Sequence, residues 1–154
     1  VYLSTVRCEL PTVTAPDARL EWGRAATLRD GDDISIIACG MMVCKALEAA
    51  RVLAADGIGA RVINMPSIKP IDVESIVKAS RETGRIITVE NHSVIGGLGG
   101  AVAETLCEHA PCLLKRIGMP DHFGESGDDE AVFSKYGFNT TDIVAAARAM
   151  MKDK

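Results

Sequence analysis

The chain has 154 residues, of which 47% are hydrophobic and 25% charged, a size and composition that fit one globular domain and exclude a disordered or collagen-like chain. Its 17 Lys and Arg residues against 21 Asp and Glu residues give a net charge of −4, so it lacks the basic surface that a nucleic acid requires of its partner. No apolar run approaches the roughly 20 residues of a membrane-spanning helix, and no basic and apolar leader opens the chain. We therefore expect a cytoplasmic protein with neither a nucleic acid nor a membrane as partner.

The first residues differ in character from the rest. Val1–Val6 has the composition of a strand, whereas Leu10–Asp17 contains two prolines and is typical of a linker. A strand needs partners along its edges and faces, so it is not stable alone. We predict that residues 1–9 are the tail of a preceding domain, that residues 10–21 form a linker and that residues 22–154 form the domain proper.

Short aliphatic runs then recur at a regular interval. They begin at residues 34, 60, 86 and 112, each 26 residues after the last, which leaves room for one helix and two loops between strands. This spacing is typical of a parallel sheet built from βαβ units. The predicted strands are Ile34–Ala38, Ala60–Asn64, Ile86–Glu90 and Cys112–Ile117.

Helical periodicity fills the intervals between these runs. Apolar residues follow a helical period from Met42 to Ala54, and Gly57 ends that pattern. Asp72 is the expected cap of a second helix that ends at Gly84. A third helix is predicted over residues 98–106, and a last one follows the cap candidates Asn139, Thr140 and Thr141 and runs to Met150.

The cysteines do not form a recognisable metal or redox motif. There are five, Cys8, Cys39, Cys44, Cys107 and Cys112, and no two are separated by the two residues of a Cys-x-x-Cys motif. We predict that they are small buried hydrophobic residues in a reducing compartment.

The most distinctive stretch, residues 90–104, joins the third strand to the third helix. It contains Gly96, Gly97 and Gly99, at the edge of an α/β sheet where ligands gather. Such glycines serve either a tight turn with close packing or a phosphate cradle at a helix start, and we favour the turn. A dinucleotide fingerprint is incomplete because Val102 stands where its last glycine belongs, and no acid follows about 20 residues on at a second strand end.

Two polar residues precede these glycines. His92 lies two residues beyond Glu90, so the imidazole can reach a cleft while the carboxylate lies near it. Two interpretations are open: a general acid or base, or a histidine that is hydrogen-bonded at a domain interface.

Other polar residues have simpler explanations. His109 falls at a helix end, where a cation complements the dipole, and the acidic run 128–130 complements a helix start without a metal. Residues 124–128 resemble the Gly-x-Ser-x-Gly motif of a serine hydrolase, but Asp128 replaces its final glycine. Lys69 is predicted to be a solvated loop residue.

Taken in order, several segments resemble the C-terminal domain of transketolase-type, thiamine-diphosphate-dependent enzymes. The resemblance spans nearly the whole chain, from Val1-Tyr2-Leu3, which is similar to the last strand of the family's pyrimidine-binding domain, onward. Its most specific pieces are Val89-Glu90-Asn91-His92 leading to Gly96-Gly97-Leu98-Gly99, and Phe123-Gly124-Glu125-Ser126-Gly127 followed by Tyr136-Gly137.

The resemblance implies a three-layer α/β/α, Rossmann-like domain. Its sheet would have five mostly parallel strands, with one antiparallel strand near Arg24–Leu28. It also implies that thiamine diphosphate and a divalent metal, Mg or Ca, bind to the preceding domains or to a separate N-terminal subunit, and that the full enzyme is a homodimer acting on sugar phosphates. This chain would bind no cofactor or metal and supply no catalytic residue. Glu90, His92, Gly96, Gly97 and Gly99 would lie at the substrate entrance or at an interface.

The subfamily is less sharply defined. Residues 123–127 are similar to transketolase proper, whereas Gly118-Met119-Pro120-Asp121 is similar to deoxyxylulose-phosphate synthase, and 2-oxoacid dehydrogenase β-type chains share the layout. We favour a transketolase, which transfers a two-carbon ketol unit. The alternative outside this family is a self-sufficient α/β module that binds a small ligand.

Overall fold

The computed structural model describes residues 2–3, 5–6 and 9–152. Its strands are β1 (Ala26–Arg29), β2 (Ile34–Ala38), β3 (Ala60–Asn64), β4 (Arg85–Ser93) and β5 (Leu113–Met119). Its helices are α1 (Met42–Ala55), α2 (Val73–Thr83), α3 (Leu98–His109), α4 (Asp129–Tyr136) and α5 (Thr140–Lys152). The alternation of strand and helix expected from the 26-residue interval is confirmed.

The five strands form one mixed sheet in the order β1-β3-β2-β4-β5. β1 pairs with β3 in the antiparallel sense, and the other three pairings are parallel. The central strand β2 is buried along its whole length, as its run of apolar residues requires. The predicted five-stranded, mostly parallel sheet is therefore confirmed.

Helices cover both faces of this sheet, which gives three layers. Alternate residues of β2 point to opposite sides, so Ile36 joins the core beneath α1 and α5, while Ile37 joins the core beneath α2 and α3. Leu53 and Ile143 belong to the first core, and Ile76 to the second. The three-layer α/β/α prediction is thus confirmed.

The predicted helix caps form as expected. The Asp72 carboxylate accepts a hydrogen bond from the backbone N–H of Ser75 at 3.0 Å, and Gly84 ends α2 in the left-handed conformation. Asp128 likewise accepts from the N–H of Glu130 at the start of α4. At α5 the Asn139 side chain accepts from the N–H of Thr140.

The boundaries of two strands, β4 and β5, differ from the prediction. β5 begins at Leu113 and runs on to Met119, and β4 continues three residues past Glu90, to Ser93. The extension of β4 follows an irregularity after Val89, beyond which Ser93 pairs with Met119. The sequence did not predict this pairing, because the side chains at the end of β4 are polar. The extension of β4 places His92 inside a strand instead of after one.

The stretch predicted as an N-terminal strand is only partly covered by the described residues, and none of those belongs to a strand. The described residues of that stretch, Tyr2, Leu3, Thr5 and Val6, are exposed and belong to no strand, while residues 1 and 4 lie outside the described part. None of these four described residues pairs with a strand of the sheet, and an unpaired strand is not stable. The domain boundaries proposed above remain predictions.

The linker follows the carboxyl edge of the parallel strands. The carbonyl oxygen of Pro11 lies 4.0 Å from Cys44 Sγ in the first turn of α1, and Val13 packs against the core beneath α1. Four residues beyond the linker, the N–H of Ala25 donates to Asp72 at the start of α2, over 2.9 Å. Since both helices start at the carboxyl edge, the chain between Pro11 and Ala25 passes from one helical layer to the other.

The cysteines are less buried than predicted. Cys39, Cys44 and Cys112 are partly exposed and Cys107 is exposed, while Cys8 lies outside the described residues. The prediction that all are buried was wrong for these four, because each lies at an element end or on an outer helix face.

No helix in the described part is both long enough and apolar enough to cross a membrane.

Candidate functional site

The turn between β4 and α3 brings together all five residues singled out from the sequence. Glu90 and His92 lie in the last residues of β4, and Gly96, Gly97 and Gly99 follow around the start of α3. This turn stands at the carboxyl edge of the sheet, where open α/β sheets place their ligand sites.

Glu90 is the buried centre of the turn. Its side chain is 1% exposed, and its two carboxylate oxygens accept hydrogen bonds from the backbone N–H groups of Leu98 at 2.7 Å and Gly99 at 2.8 Å. Because the residue at the N-cap of α3 is Gly97, which has no side chain, Glu90 supplies the missing cap. A negative charge also suits the positive end of the helix dipole.

An internal carboxylate therefore occupies the position that a phosphate would take at the start of α3. The N–H groups of Leu98 and Gly99 are already paired, so an incoming phosphate would have to displace Glu90. This arrangement is the one that the turn interpretation requires.

The glycines make room for this carboxylate. A Cβ on Gly97 would lie 1.9 Å from Glu90 Oε2, and one on Gly99 would lie 2.9 Å from Thr88 Oγ1. Gly96 has a positive φ of 74°, which favours glycine, although the space beside it is open. Gly118 on β5 also belongs to the cradle, since a Cβ there would lie 3.0 Å from Glu90 Cγ. Sequence reasoning missed Gly118, because its role depends on strand pairing.

His92 points outward from this buried centre. Its side chain is 66% exposed, and Nδ1 lies 2.9 Å from the carbonyl oxygen of Ser93 and 4.0 Å from Glu90 Oε2. Since a carbonyl can only accept, Nδ1 carries the proton in the Ser93 contact, which leaves the lone pair of a neutral imidazole on Nε2. The Glu90 contact is longer than a hydrogen bond, so Glu90 does not orient His92 as a carboxylate orients a catalytic histidine.

Several hydrogen bonds hold the loop between Ser93 and Gly97. The N–H of Val94 donates to the Met119 carbonyl at 3.0 Å, and Arg116 Nη1 donates to the Val94 carbonyl at 2.8 Å. The N–H of Ile95 donates to Ser93 Oγ at 3.1 Å. Three hydrogen bonds thus hold the loop in place, yet the Ile95 side chain at its tip is 60% exposed. Arg116 carried no sequence signal for this role.

Cys39, at the end of β2, is the nearby thiol. Burial raises its pKa to about 12, and the negative charge of Glu90 adds to the rise. The thiol is therefore neutral at physiological pH, which is unsuited to a nucleophile.

The remaining polar residues singled out from the sequence lie apart from this turn. His109 ends α3 with its Nε2 3.8 Å from a carboxylate oxygen of Glu108, and His122 lies in the exposed stretch between β5 and α4. Asp128 caps α4, as described above, and Lys69 is exposed in the loop before α2, as predicted.

The described residues do not fit a thiamine diphosphate site with its metal. Within residues 2–3, 5–6 and 9–152, no group of three or more His, Cys, Asp or Glu side chains could hold a metal ion. The helix start at the turn, the place suited to a pyrophosphate, is filled by Glu90. No chemical step through that cofactor can be assigned to these residues.

Comparison with known proteins identifies the domain. Residues 23–143 match the family model described as transketolase, C-terminal domain. The chain is 41% identical, over its whole length and 48% of the relative's, to a 6-deoxy-6-sulfo-D-fructose transketolase subunit of Clostridium sp. (strain MSTE9). It is 43% identical, over 83% of its length and 20% of the relative's, to 1-deoxy-D-xylulose-5-phosphate synthase of Heliobacterium modesticaldum.

A solved structure agrees with these matches. The structure titled split gene transketolase, inactive beta4 tetramer, superposes with a TM-score of 0.91 at 49% identity, over 95% of this chain and 48% of that one. This chain spans about half the length of that protein and of the Clostridium relative.

Proposed function

The chain belongs to the transketolase family as its C-terminal domain, and from that premise we propose that it is a part of a transketolase that binds no cofactor itself. The assembled enzyme transfers a two-carbon ketol unit between sugar phosphates. Thiamine diphosphate and a divalent metal, Mg or Ca, bind to the preceding domains or to a separate N-terminal subunit. The isolated chain is inactive.

The observation that carries this proposal is the filled start of α3. The turn has the glycines and the helix N-terminus that could hold a phosphate, but both N–H groups bind Glu90. A carboxylate that is 1% exposed and doubly hydrogen-bonded is costly to displace. The turn is therefore better suited to shaping a surface than to binding a cofactor.

The function of the domain in this proposal is to pack on its neighbours, to contribute to a cytoplasmic homodimer and to edge the substrate entrance. His92 is the residue suited to the last of these, because its imidazole is exposed and Nε2 carries a lone pair. That nitrogen can accept a hydrogen bond from a sugar hydroxyl or from a neighbouring domain.

Calorimetry and reconstitution test the proposal together. Titration of this chain with thiamine diphosphate and Mg²⁺ is expected to give no binding heat, whereas the whole parent protein binds. Ketol transfer is expected only when the remaining part of the protein is present. Cofactor binding or turnover by residues 1–154 alone would contradict the proposal.

His92 has a separate test. In the complete enzyme, His92→Ala is expected to lower kcat about tenfold or more while leaving the melting temperature unchanged, if the imidazole meets the substrate. His109→Ala, at the far end of α3, is the matched control and should change neither quantity. Unchanged kinetics for His92→Ala would assign the residue to packing or to an interface.

A deoxyxylulose-phosphate synthase is the second candidate, favoured by the 43% identity to the Heliobacterium relative. Its product differs from that of a transketolase, which lengthens an acceptor sugar by a two-carbon ketol unit. Product analysis of the whole enzyme by mass spectrometry distinguishes the two. Formation of deoxyxylulose phosphate would show that the enzyme is a deoxyxylulose-phosphate synthase and not a transketolase.

A further inference from the structure

Large apolar side chains are exposed along the carboxyl edge of the sheet. Trp22 precedes β1 and is 62% exposed; Ile68, Ile95 and Phe123 follow β3, β4 and β5 and are 39%, 60% and 100% exposed. We call these four residues the edge row. Since neighbouring strands lie about 4.8 Å apart, the four positions span roughly 19 Å along the five-stranded edge. Exposed apolar residues that follow one edge mark an interaction surface.

The linker ties any preceding polypeptide to this same edge. Pro11 lies against the first turn of α1, and Ala25 is hydrogen-bonded to the start of α2, so the chain from residue 11 to residue 25 begins and ends at the carboxyl edge and contains Trp22 of the edge row. A preceding domain would be held beside the row at the high effective concentration that a short linker provides.

The edge row also contains a rigid protrusion. Ile95 stands at the tip of the loop that is held by the Val94, Arg116 and Ser93 hydrogen bonds, and the Glu90 carboxylate secures the end of that loop. A side chain presented on a pre-ordered loop loses little conformational entropy on binding, which favours a strong contact.

We propose that the edge row is the docking surface for the half of the same protein that precedes the linker, with Ile95 as its central anchor. This inference rests on the proposed function, in that the parent protein carries such a half. The relatives are about twice as long as this chain, so a preceding half would be similar in size to this domain. A second copy of this domain is the competing occupant, but it is not tethered to the edge by the linker.

The test uses the whole parent protein with a protease site inserted between Asp17 and Ala18, where the linker is exposed. After cleavage, the two halves are separated by size exclusion with light scattering, and their dissociation constant is measured. In the otherwise unchanged protein the halves should co-elute. Ile95→Asp should raise the dissociation constant at least about tenfold.

Two control variants make the result specific. Val52→Asp, on α1, and Leu113→Asp, at the other end of the sheet, replace side chains that are 44% and 46% exposed away from the edge row. Each should change the dissociation constant less than about twofold. Phe123→Asp is the second edge variant, and circular dichroism of each cleaved domain shows whether the variant is folded.

Each outcome decides for or against the proposal. Separation of the folded Ile95→Asp and Phe123→Asp halves, with both controls still associated, supports it. The proposal is overturned if the edge variants stay associated, if the unchanged halves separate, or if Ile95→Asp only halves the mass of the assembly, which would assign the edge to a second copy. Ketol transfer is assayed separately on uncleaved protein, so halves that dock without that activity would refute the proposed function alone.

Discussion

The loops at the amino edge and at the carboxyl edge of the sheet differ in the side chains they expose. At the amino edge the loops carry Asp30, Asp32, Asp33 and Asp56, and among the described residues Leu113 is the one large exposed apolar side chain there. At the carboxyl edge the loops also carry charged residues, such as Lys69 and Asp121, but the edge row of exposed apolar side chains stands among them. Charged loops suit permanent contact with water, whereas exposed apolar loops suit a partner.

Both ends nevertheless use a carboxylate to satisfy backbone N–H groups. Asp33 accepts from the N–H of Gly59 at 2.6 Å and closes the turn before β3. Glu90 and Asp72 each accept from two backbone N–H groups, and each secures a helix start. These acidic residues thus have a structural role at both ends of the sheet, and it is the exposed apolar residues that indicate a partner.

The largest expected change in stability comes from a substitution that fills the space beside Glu90. Gly97→Ala should destabilise the fold by about 3 kcal/mol, because its Cβ would lie 1.9 Å from Glu90 Oε2 and would force the carboxylate off the α3 start. Gly100→Ala, three residues on, meets no atom within 4 Å and should stabilise the helix by about 0.5 kcal/mol or more. Urea unfolding measures both, and equal effects of the two substitutions would refute this account of the turn.

A smaller, pH-dependent effect is expected at Asp72. Burial raises the pKa of this carboxyl, but the hydrogen bonds from Ala25 and Ser75 and the charge of Arg24 outweigh it, so the pKa lies below its ordinary value of 3.8. The stability contributed by the ionised form is therefore present at neutral pH and is lost as the pH falls from 3.8 through the lower folded-state value.

Asp72→Asn should accordingly cost about 1–2 kcal/mol at pH 7, since the amide nitrogen cannot accept from Ala25, and less at pH 3. Thermal unfolding between pH 3 and pH 7 measures the difference. Glu104→Gln, on the exposed side of α3, is the control and should leave the profile nearly unchanged. A constant difference between Asp72→Asn and the unchanged protein across this pH range would show that the Asp72 charge is irrelevant.

The smallest effect is chemical and does not alter stability. With iodoacetamide at pH 8, Cys107 on the exposed side of α3 should react, whereas Cys39 should not, because a thiol with a pKa of about 12 is almost entirely protonated. Peptide mapping by mass spectrometry identifies the modified residue, and Cys107→Ser supplies the blank. Rapid labelling of Cys39 would contradict the raised pKa, because it would mean that this thiol is ionised at pH 8.

Much of the fold follows from local patterns. The helix at Met42–Ala55 has a clear helical period, and the buried strand at Ile34–Ala38 is a short apolar run. Asp72 and Gly84 have the residue types that begin and end helices. The extension of β4 to Ser93 could not be found in this way, because polar residues at a strand end carry no apolar alternation and their pairing depends on β5. The exposure of Cys107 was missed for a related reason, since residue type alone does not define which helix face meets the core.

Local sequence patterns by themselves determined the alternation of the four parallel strands with helices and the position of the glycine-rich turn, because each of these depends on residues that are close together in the chain. The three layers and the antiparallel β1 were expected only from the family resemblance. Tertiary structure alone decided that Glu90 caps α3, that Gly118 on a neighbouring strand makes room for it, and that one exposed apolar residue stands on each of several loops along a single edge. These features join residues from different strands and loops, and only the packing of the sheet brings such residues within contact distance.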